Sequence, residues 1–263
     1  MTFANVDGCN YYYEITGDGD PLVMIRGLGS NLDHWYPQMP VLKQHFRVLT
    51  FDNPGIARTK DVITPYSIRE MAKNIAGLMD AAGIEKAHIL GLSMGGMIAQ
   101  ELALNFPERI QRLILCVTHC GKSHSIPSSD SVNHLFTSLV KEGTDEAKAA
   151  AATIMFAPET LKSQPEIVTE YGKISMRHPA STDILIKQSQ AIQEFDTWER
   201  LPEITASTLA LGADKDVLIP QENLKILADR IPNAKLLLIK GGGHQVLIEQ
   251  ADACNSAITD FLT

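Results

Sequence analysis

The sequence predicts an α/β fold in which a parallel sheet is buried on both faces and covered by helices. Three observations carry this. At 263 residues, with 44% hydrophobic and 21% charged residues, the chain suits one large domain with a substantial core. Short, near-continuous apolar runs alternate with helical patterns from the first third to the end, as strands covered by helices on both faces require. The rhythm breaks once, between about residues 122 and 197, where no core strand is evident.

The elements follow in order. Asn10–Ile15 and Pro21–Ile25 flank Gly17-Asp18-Gly19-Asp20, which reads as a hairpin. Arg47–Asp52 is a third apolar run. A helix is predicted over Ser67–Ala82, with Ser67 and Glu70 as a capping box and Gly83 as its stop. Strand Lys86–Leu90 then runs into Gly91-Leu92-Ser93-Met94-Gly95-Gly96 and an apolar-faced helix, and strand Arg112–Thr118 follows. Two more units close the chain: strand Thr208–Ala213 with helix Gln221–Arg230, and strand Ala234–Ile239 with helix Gln245–Leu262. The interrupting segment is helix-prone and mildly acidic. Leu135, Phe136, Leu139, Ile154, Met155 and Phe156 give it apolar content that a disordered loop would lack. The expectation is a sheet core of residues 1–121 and 198–263, with residues 122–197 as a helical lid above one sheet edge.

Composition excludes several classes. A formal net charge of −8 opposes a phosphate-backbone partner, so no nucleic acid is expected. Met1–Gly8 lacks the basic and apolar regions of a signal peptide, and no apolar stretch is long enough for a bilayer. The four cysteines, Cys9, Cys116, Cys120 and Cys254, form no C-x-x-C pair. Free thiols in a reducing cytoplasm are expected.

The chemistry centres on Ser93. A serine on a sharp strand-to-helix turn has its hydroxyl exposed above the sheet, and glycines two residues either side leave room for the bend. The pentapeptide alone arises by chance in roughly one chain in ten of this length, so the context decides. A serine needs a base, usually a histidine held by a carboxylate. Of eight histidines, His244 is best placed, after an apolar strand and Gly241-Gly242-Gly243, at the sheet edge where active sites form. Asp214 and Asp216 compete for the acid's role in the loop after the preceding strand.

These residues resemble the α/β-hydrolase superfamily, specifically its small lidded serine esterase and enol-lactonase-like group. The matching pieces are Arg26-Gly27-Leu28-Gly29-Ser30 with Trp35 and Gln38, Asp52-Asn53-Pro54-Gly55, Gly91–Gly96, Asp216-Val217-Leu218-Ile219-Pro220, and Gly243-His244. They span nearly the whole chain outside the lid. The resemblance implies a mostly parallel eight-stranded sheet flanked by helices, with an inserted helical lid. It selects Asp216, four residues before Pro220, as the acid, although the loop is one residue longer than usual. The order Ser93, Asp216, His244 also fits.

An oxyanion hole from the Leu28 and Met94 N–H groups is implied as well. Where the family has histidine, this chain has Arg26, for which a buried ion pair with Asp52 is expected rather than substrate contact; contact with a carboxylate-bearing substrate is the alternative. Trp35, Met155 and Phe156 are candidate substrate-binding residues, and His34 is a neighbour of the oxyanion loop. Asp52 reads as the organiser of its own turn. His119 and Cys120 lie at the catalytic edge without forming a dyad by adjacency. His124, His134 and His178 lack metal-ligand spacing, so neither metal nor cofactor is expected. The implied activity is hydrolysis of small carboxylic esters or lactones through an acyl-enzyme. Carbon–carbon bond hydrolysis, thioester hydrolysis and a non-catalytic ligand receptor are the alternatives. A serine at 93 excludes the related chemistries that use an aspartate nucleophile.

Overall fold

The computed structural model describes residues 2–263 and contains one eight-stranded sheet. Its strands are β1 (Thr2–Val6), β2 (Cys9–Thr16), β3 (Asp20–Ile25), β4 (Phe46–Phe51), β5 (Ala87–Leu92), β6 (Ile110–Cys116), β7 (Ser207–Ala213) and β8 (Ala234–Ile239). The spatial order is β1-β2-β4-β3-β5-β6-β7-β8. Strands β3 to β8 are parallel, while β1 and β2 are antiparallel additions at one edge. This is the expected mostly parallel eight-stranded sheet. Successive side chains of β3 feed opposite cores, Val23 and Ile25 on one face and Leu22 and Met24 on the other. Burial on both faces explains why the strand shows no polar alternation.

The hairpin expected across Gly17–Asp20 does not form. β2 and β3 are separated by β4, which pairs with both. The glycines serve the crossing instead: Gly17 and Gly19 adopt positive φ, and a Cβ on either would collide with carbonyls of Lys43, His45 or Phe46 at the entrance to β4. The actual hairpin is β1–β2, turning at Asp7-Gly8 with both φ values positive (48° and 84°), as a tight two-residue turn needs.

The helices before the interruption are α1 (Met39–Leu42), α2 (Ile68–Ala81) and α3 (Met94–Asn105). Ser67 caps α2, its hydroxyl accepting from the Glu70 N–H at 3.2 Å. α3 is buried at every residue from Met94 to Ala103, which makes it the central helix of the molecule. Between β6 and β7 lie α4 (Asp130–Glu142), α5 (Asp145–Met155), α6 (Pro158–Ser163), α7 (Pro165–Arg177) and α8 (Thr182–Glu194). The segment leaves and rejoins the core at one point: Gly121 bridges Asp196, and the Thr197 N–H donates to the Cys120 carbonyl at 2.7 Å. The chain ends with α9 (Glu222–Arg230), α10 (Val246–Glu249) and α11 (Ala251–Leu262). The single helix expected over 245–262 is broken at Gln250, which leaves helical geometry at φ −126° and ψ 47°. The break lets α10 turn its last residue, Glu249, under the loop that carries His244. Among the described residues, no helix is long and apolar enough to cross a membrane.

Close packing of β3 against α3 rests on Gly95, where a methyl group would meet the Ile25 carbonyl. Gly95→Ala is expected to lower the unfolding free energy by about 1–3 kcal/mol, the usual cost of overpacking, measured by urea denaturation.

Candidate active site

Ser93 joins β5 to α3 with φ 56° and ψ −119°, a conformation that side-chain-bearing residues seldom adopt. Strain of this kind costs on the order of 1–3 kcal/mol and persists only where the surroundings fix it. They do so here. The Ser93 N–H donates to the Cys116 carbonyl at 2.9 Å, and its carbonyl accepts from Thr118 Oγ1 at 2.8 Å. Gly91 admits the carbonyl of Gly95, and Gly96 admits the side chain of Thr118. Val117, at the end of the adjoining β6, is itself held at φ 42°.

Two further strands deliver the partners. His244 follows β8 and Asp216 follows β7, both at the C-terminal sheet edge where β5 ends at Ser93. His244 Nε2 lies 3.0 Å from Ser93 Oγ, and Nδ1 lies 2.8 Å from Asp216 Oδ2. His244 and Asp216 are both buried. The second carboxylate oxygen of Asp216 accepts from the Leu218 and Ile219 N–H groups, each at 2.9 Å. These bonds orient the carboxylate and satisfy its remaining lone pairs. Asp214 has a different task, accepting the Gly241 N–H at 2.7 Å at the start of the glycine run. Met94 is the first residue of α3, so its N–H has no partner within the helix. The Leu28 N–H, in the loop after β3, donates to no backbone carbonyl among the described residues.

Arg26 does not pair with Asp52. Its Nε and Nη2 donate to Ser30 Oγ at 3.4 and 3.2 Å, and its guanidinium carbon lies 4.6 Å from the centre of the Trp35 ring. Arg58 has taken the expected place. It donates to Asp52 from Nε at 2.8 Å and grips Asp33 with two further bonds at 3.1 and 3.0 Å. Asp52 also accepts the Leu32 N–H at 2.9 Å, so the Asp52–Arg58–Asp33 bridge ties the segment after the oxyanion loop to the end of β4. Trp35 is fully buried in the core beneath Arg26 and does not reach the cavity. Met155 and Phe156 do line it.

The cavity above Ser93 measures about 1050 Å³. Its floor includes Gly27, Leu28, Ser93, His119 and His244, and its walls come mainly from α4, α5, α7 and α8. Most of this lining is apolar. At the floor, His119 Nδ1 accepts the Gly121 N–H at 3.0 Å, which leaves the proton on Nε2. Burial lowers its pKa to about 4, so the ring is neutral. Burial likewise pushes the Cys120 thiol up to about 11, which removes any thiolate from this edge.

Two residues absent from the sequence reading fix the loops around Ser93 and His244. Glu249 is buried and accepts three bonds: from the Gly243 N–H at 2.8 Å, the Ala157 N–H at 2.7 Å and Thr160 Oγ1 at 2.7 Å. The residue before His244 is thereby tied to the start of α6. Gln188, on α8, accepts the Gly29 N–H at 2.8 Å beside the oxyanion loop. The signal for Glu249 was a single acidic residue ending the apolar Val246-Leu247-Ile248 stretch. Gln188 carried no comparable mark.

His34 joins the core to α7 instead of lining the cavity, its Nε2 lying 3.0 Å from Ser175 Oγ. Burial, and then the nearby Arg26 charge, lower its pKa to about 3. In the unfolded chain the ring takes up a proton near its ordinary value of 6.5. Stability contributed by neutral His34 is therefore present above about pH 6.5 and lost as pH falls. His119 acts in the same direction. Urea titrations are expected to show stability falling below about pH 6.5, with His34→Asn removing up to about 1.4 kcal/mol per pH unit of that slope.

A family profile described as the alpha/beta hydrolase fold matches residues 20–159, and one described as TAP-like protein matches residues 187–263. The chain belongs to the α/β-hydrolase fold family. Among its relatives is a protein of Azorhizobium caulinodans named "Putative carbamate hydrolase RutD", 29% identical over 99% of this chain and 98% of its own. A protein of the same name from Yersinia enterocolitica is 30% identical over 95% of this chain and 91% of its own. Among solved structures, the enol-lactonase of Burkholderia xenovorans LB400 superposes with a TM-score of 0.88 at 27% identity, covering 99% of both chains.

Proposed function

We propose that the protein is a serine hydrolase of carboxylic esters or lactones, working through an acyl-enzyme on Ser93. The observation that carries this reading is the continuous relay from Ser93 Oγ to His244 Nε2 at 3.0 Å and from His244 Nδ1 to Asp216 at 2.8 Å, opening onto a cavity of about 1050 Å³. In the proposed sequence, Ser93 Oγ attacks the carbonyl carbon as His244 takes its proton. Asp216 holds the imidazole in the required tautomer and stabilises the imidazolium. The Leu28 and Met94 N–H groups receive the tetrahedral oxyanion, a contribution of roughly 3–4 kcal/mol per donor. His244 then returns the proton to the departing alkoxide oxygen. Water, deprotonated by the same base, releases the acid.

Residues 122–197 act, in this reading, as the lid. The proximity of Gly121 and Asp196 supports those boundaries, and the four lid helices that contribute to the wall support a role in substrate selection. The name "Putative carbamate hydrolase" carried by the relatives describes an acyl-group hydrolysis, which is compatible with the proposed relay. The cavity volume favours a larger substrate here, because 300–1000 Å³ is the range that encloses a drug-sized molecule. An ester or lactone with an extended apolar part fits the lining best. Four buried, unpaired cysteines agree with a reducing cytoplasm as the working compartment.

Hydrolysis of p-nitrophenyl butyrate tests the reading. Wild type is expected to turn it over and Ser93→Ala to lose all enzymatic turnover. Asp216→Asn is expected to reduce kcat by about 10⁴-fold through loss of the correct imidazole tautomer, with Asp214→Asn within a few-fold of wild type. Equal losses in the two asparagine variants would contradict the assignment of the acid.

A further inference from the structure

Arg26 is a buried cation that pairs with no carboxylate among the described residues. It is 1% exposed and contributes to the cavity wall. Its Nη1 has no hydrogen-bond partner, and its other nitrogens reach only the neutral hydroxyl of Ser30. The groups around it are Trp35, Tyr36 and His34 from the segment after the oxyanion loop, Cys116 from β6 and Tyr171 from α7. All are uncharged at neutral pH. Asp33 and Asp52, the acids that brace the segment after this loop, are both held by Arg58. Even with burial drawing its pKa down to about 10, Arg26 stays protonated at neutral pH. A buried guanidinium without a counter-ion is costly, and its fork geometry matches a carboxylate. The other charged residues of the cavity lining, Lys122, Asp145 and Lys148, are exposed, and Lys148 pairs with Asp145.

The position matters as much as the charge. Arg26 immediately precedes Gly27, whose Cα packs so closely on the nucleophile that an added Cβ would lie 3.1 Å from Ser93 Cβ. Any anion paired with Arg26 therefore sits on the oxyanion-loop side of the reacting carbonyl.

We propose that Arg26, with Ser30 beside it, is a carboxylate-recognition subsite, and that the substrate is an ester or lactone bearing a free carboxylate a few bonds from the scissile carbonyl. This rests on the hydrolase reading above. Arg26 binds the substrate anion and positions the carbonyl over Ser93, and the bond broken remains the acyl–oxygen bond.

The test is a series of mono-p-nitrophenyl esters of succinic, glutaric and adipic acid, set against neutral butyrate, valerate and hexanoate esters of matching length. Wild type is expected to favour the anionic ester at least ten-fold in kcat/KM at one chain length. Arg26→Met is expected to lower that value at least thirty-fold, mainly through KM, while leaving the neutral esters within three-fold. Arg26→Lys is expected to recover part of the preference. Equal losses on both series, or turnover by wild type with no anionic preference at any length, would overturn the subsite. Independently of turnover, calorimetry of Ser93→Ala with glutarate is expected to show binding that added dimethyl glutarate does not displace; no glutarate binding would also overturn it. Failure of wild type on every ester, alongside glutarate binding to Ser93→Ala, would refute the hydrolase reading and leave the subsite standing.

Discussion

The strained backbone of Ser93 is the constraint on which the rest of the molecule depends. At φ 56° the residue gains nothing locally, so the structure holds it from three sides. β6 supplies the Cys116 carbonyl below it, Thr118 clamps its own carbonyl, and α3 begins at once with glycines that let β3 and β6 approach. The near-continuous burial of β5 and α3 is the energetic counterpart: apolar burial at about 25 cal/mol per Å² fixes a turn that its own dihedrals disfavour. A parallel sheet then brings the loops after β7 and β8 to the same edge. That is how residues 123 and 151 positions away from Ser93 come within one hydrogen-bonded chain.

The second ordering principle is polar. The segment between β6 and β7 meets the core through a few hydrogen bonds, chiefly Glu249, itself bound to Gly243, to Ala157 and Thr160, Gln188 to Gly29, and His34 to Ser175. Together they tie that segment to the loop before His244, to the loop after β3 and to the turn around His34. Buried groups of this kind are expensive to leave unpaired, so the helices and the loops have to be placed together. The apolar side chains between them leave the cavity open instead of filling it.

Much of this was legible in the sequence because it follows from local pattern. Strands buried on both faces read as unbroken apolar runs, and the serine turn, Asp216 and His244 fall in the order usual for this fold. What misled was non-local. Gly17 and Gly19 look like hairpin residues, yet they serve a crossing over the start of β4, a strand not reached until thirty residues later. Asp52 was offered two arginines, and Arg58 prevails because it grips Asp33 in the same stroke. Trp35, next to the oxyanion loop in sequence, is turned into the core by its fully buried ring. Glu249 and Gln188 act on residues far from them in sequence, and periodicity gives no hint of such partners. The mistaken partner for Arg26 is the most informative of these, since no carboxylate pairs with it among the described residues, and that observation underlies the proposed subsite.

The nucleophilicity proposed for the Ser93 hydroxyl is open to intact-mass measurement after incubation with a fluorophosphonate. A single adduct is expected, mapped to Ser93, whose formation slows sharply in His244→Ala. A folded wild-type protein that takes up no adduct, or takes it up at another residue, would contradict it.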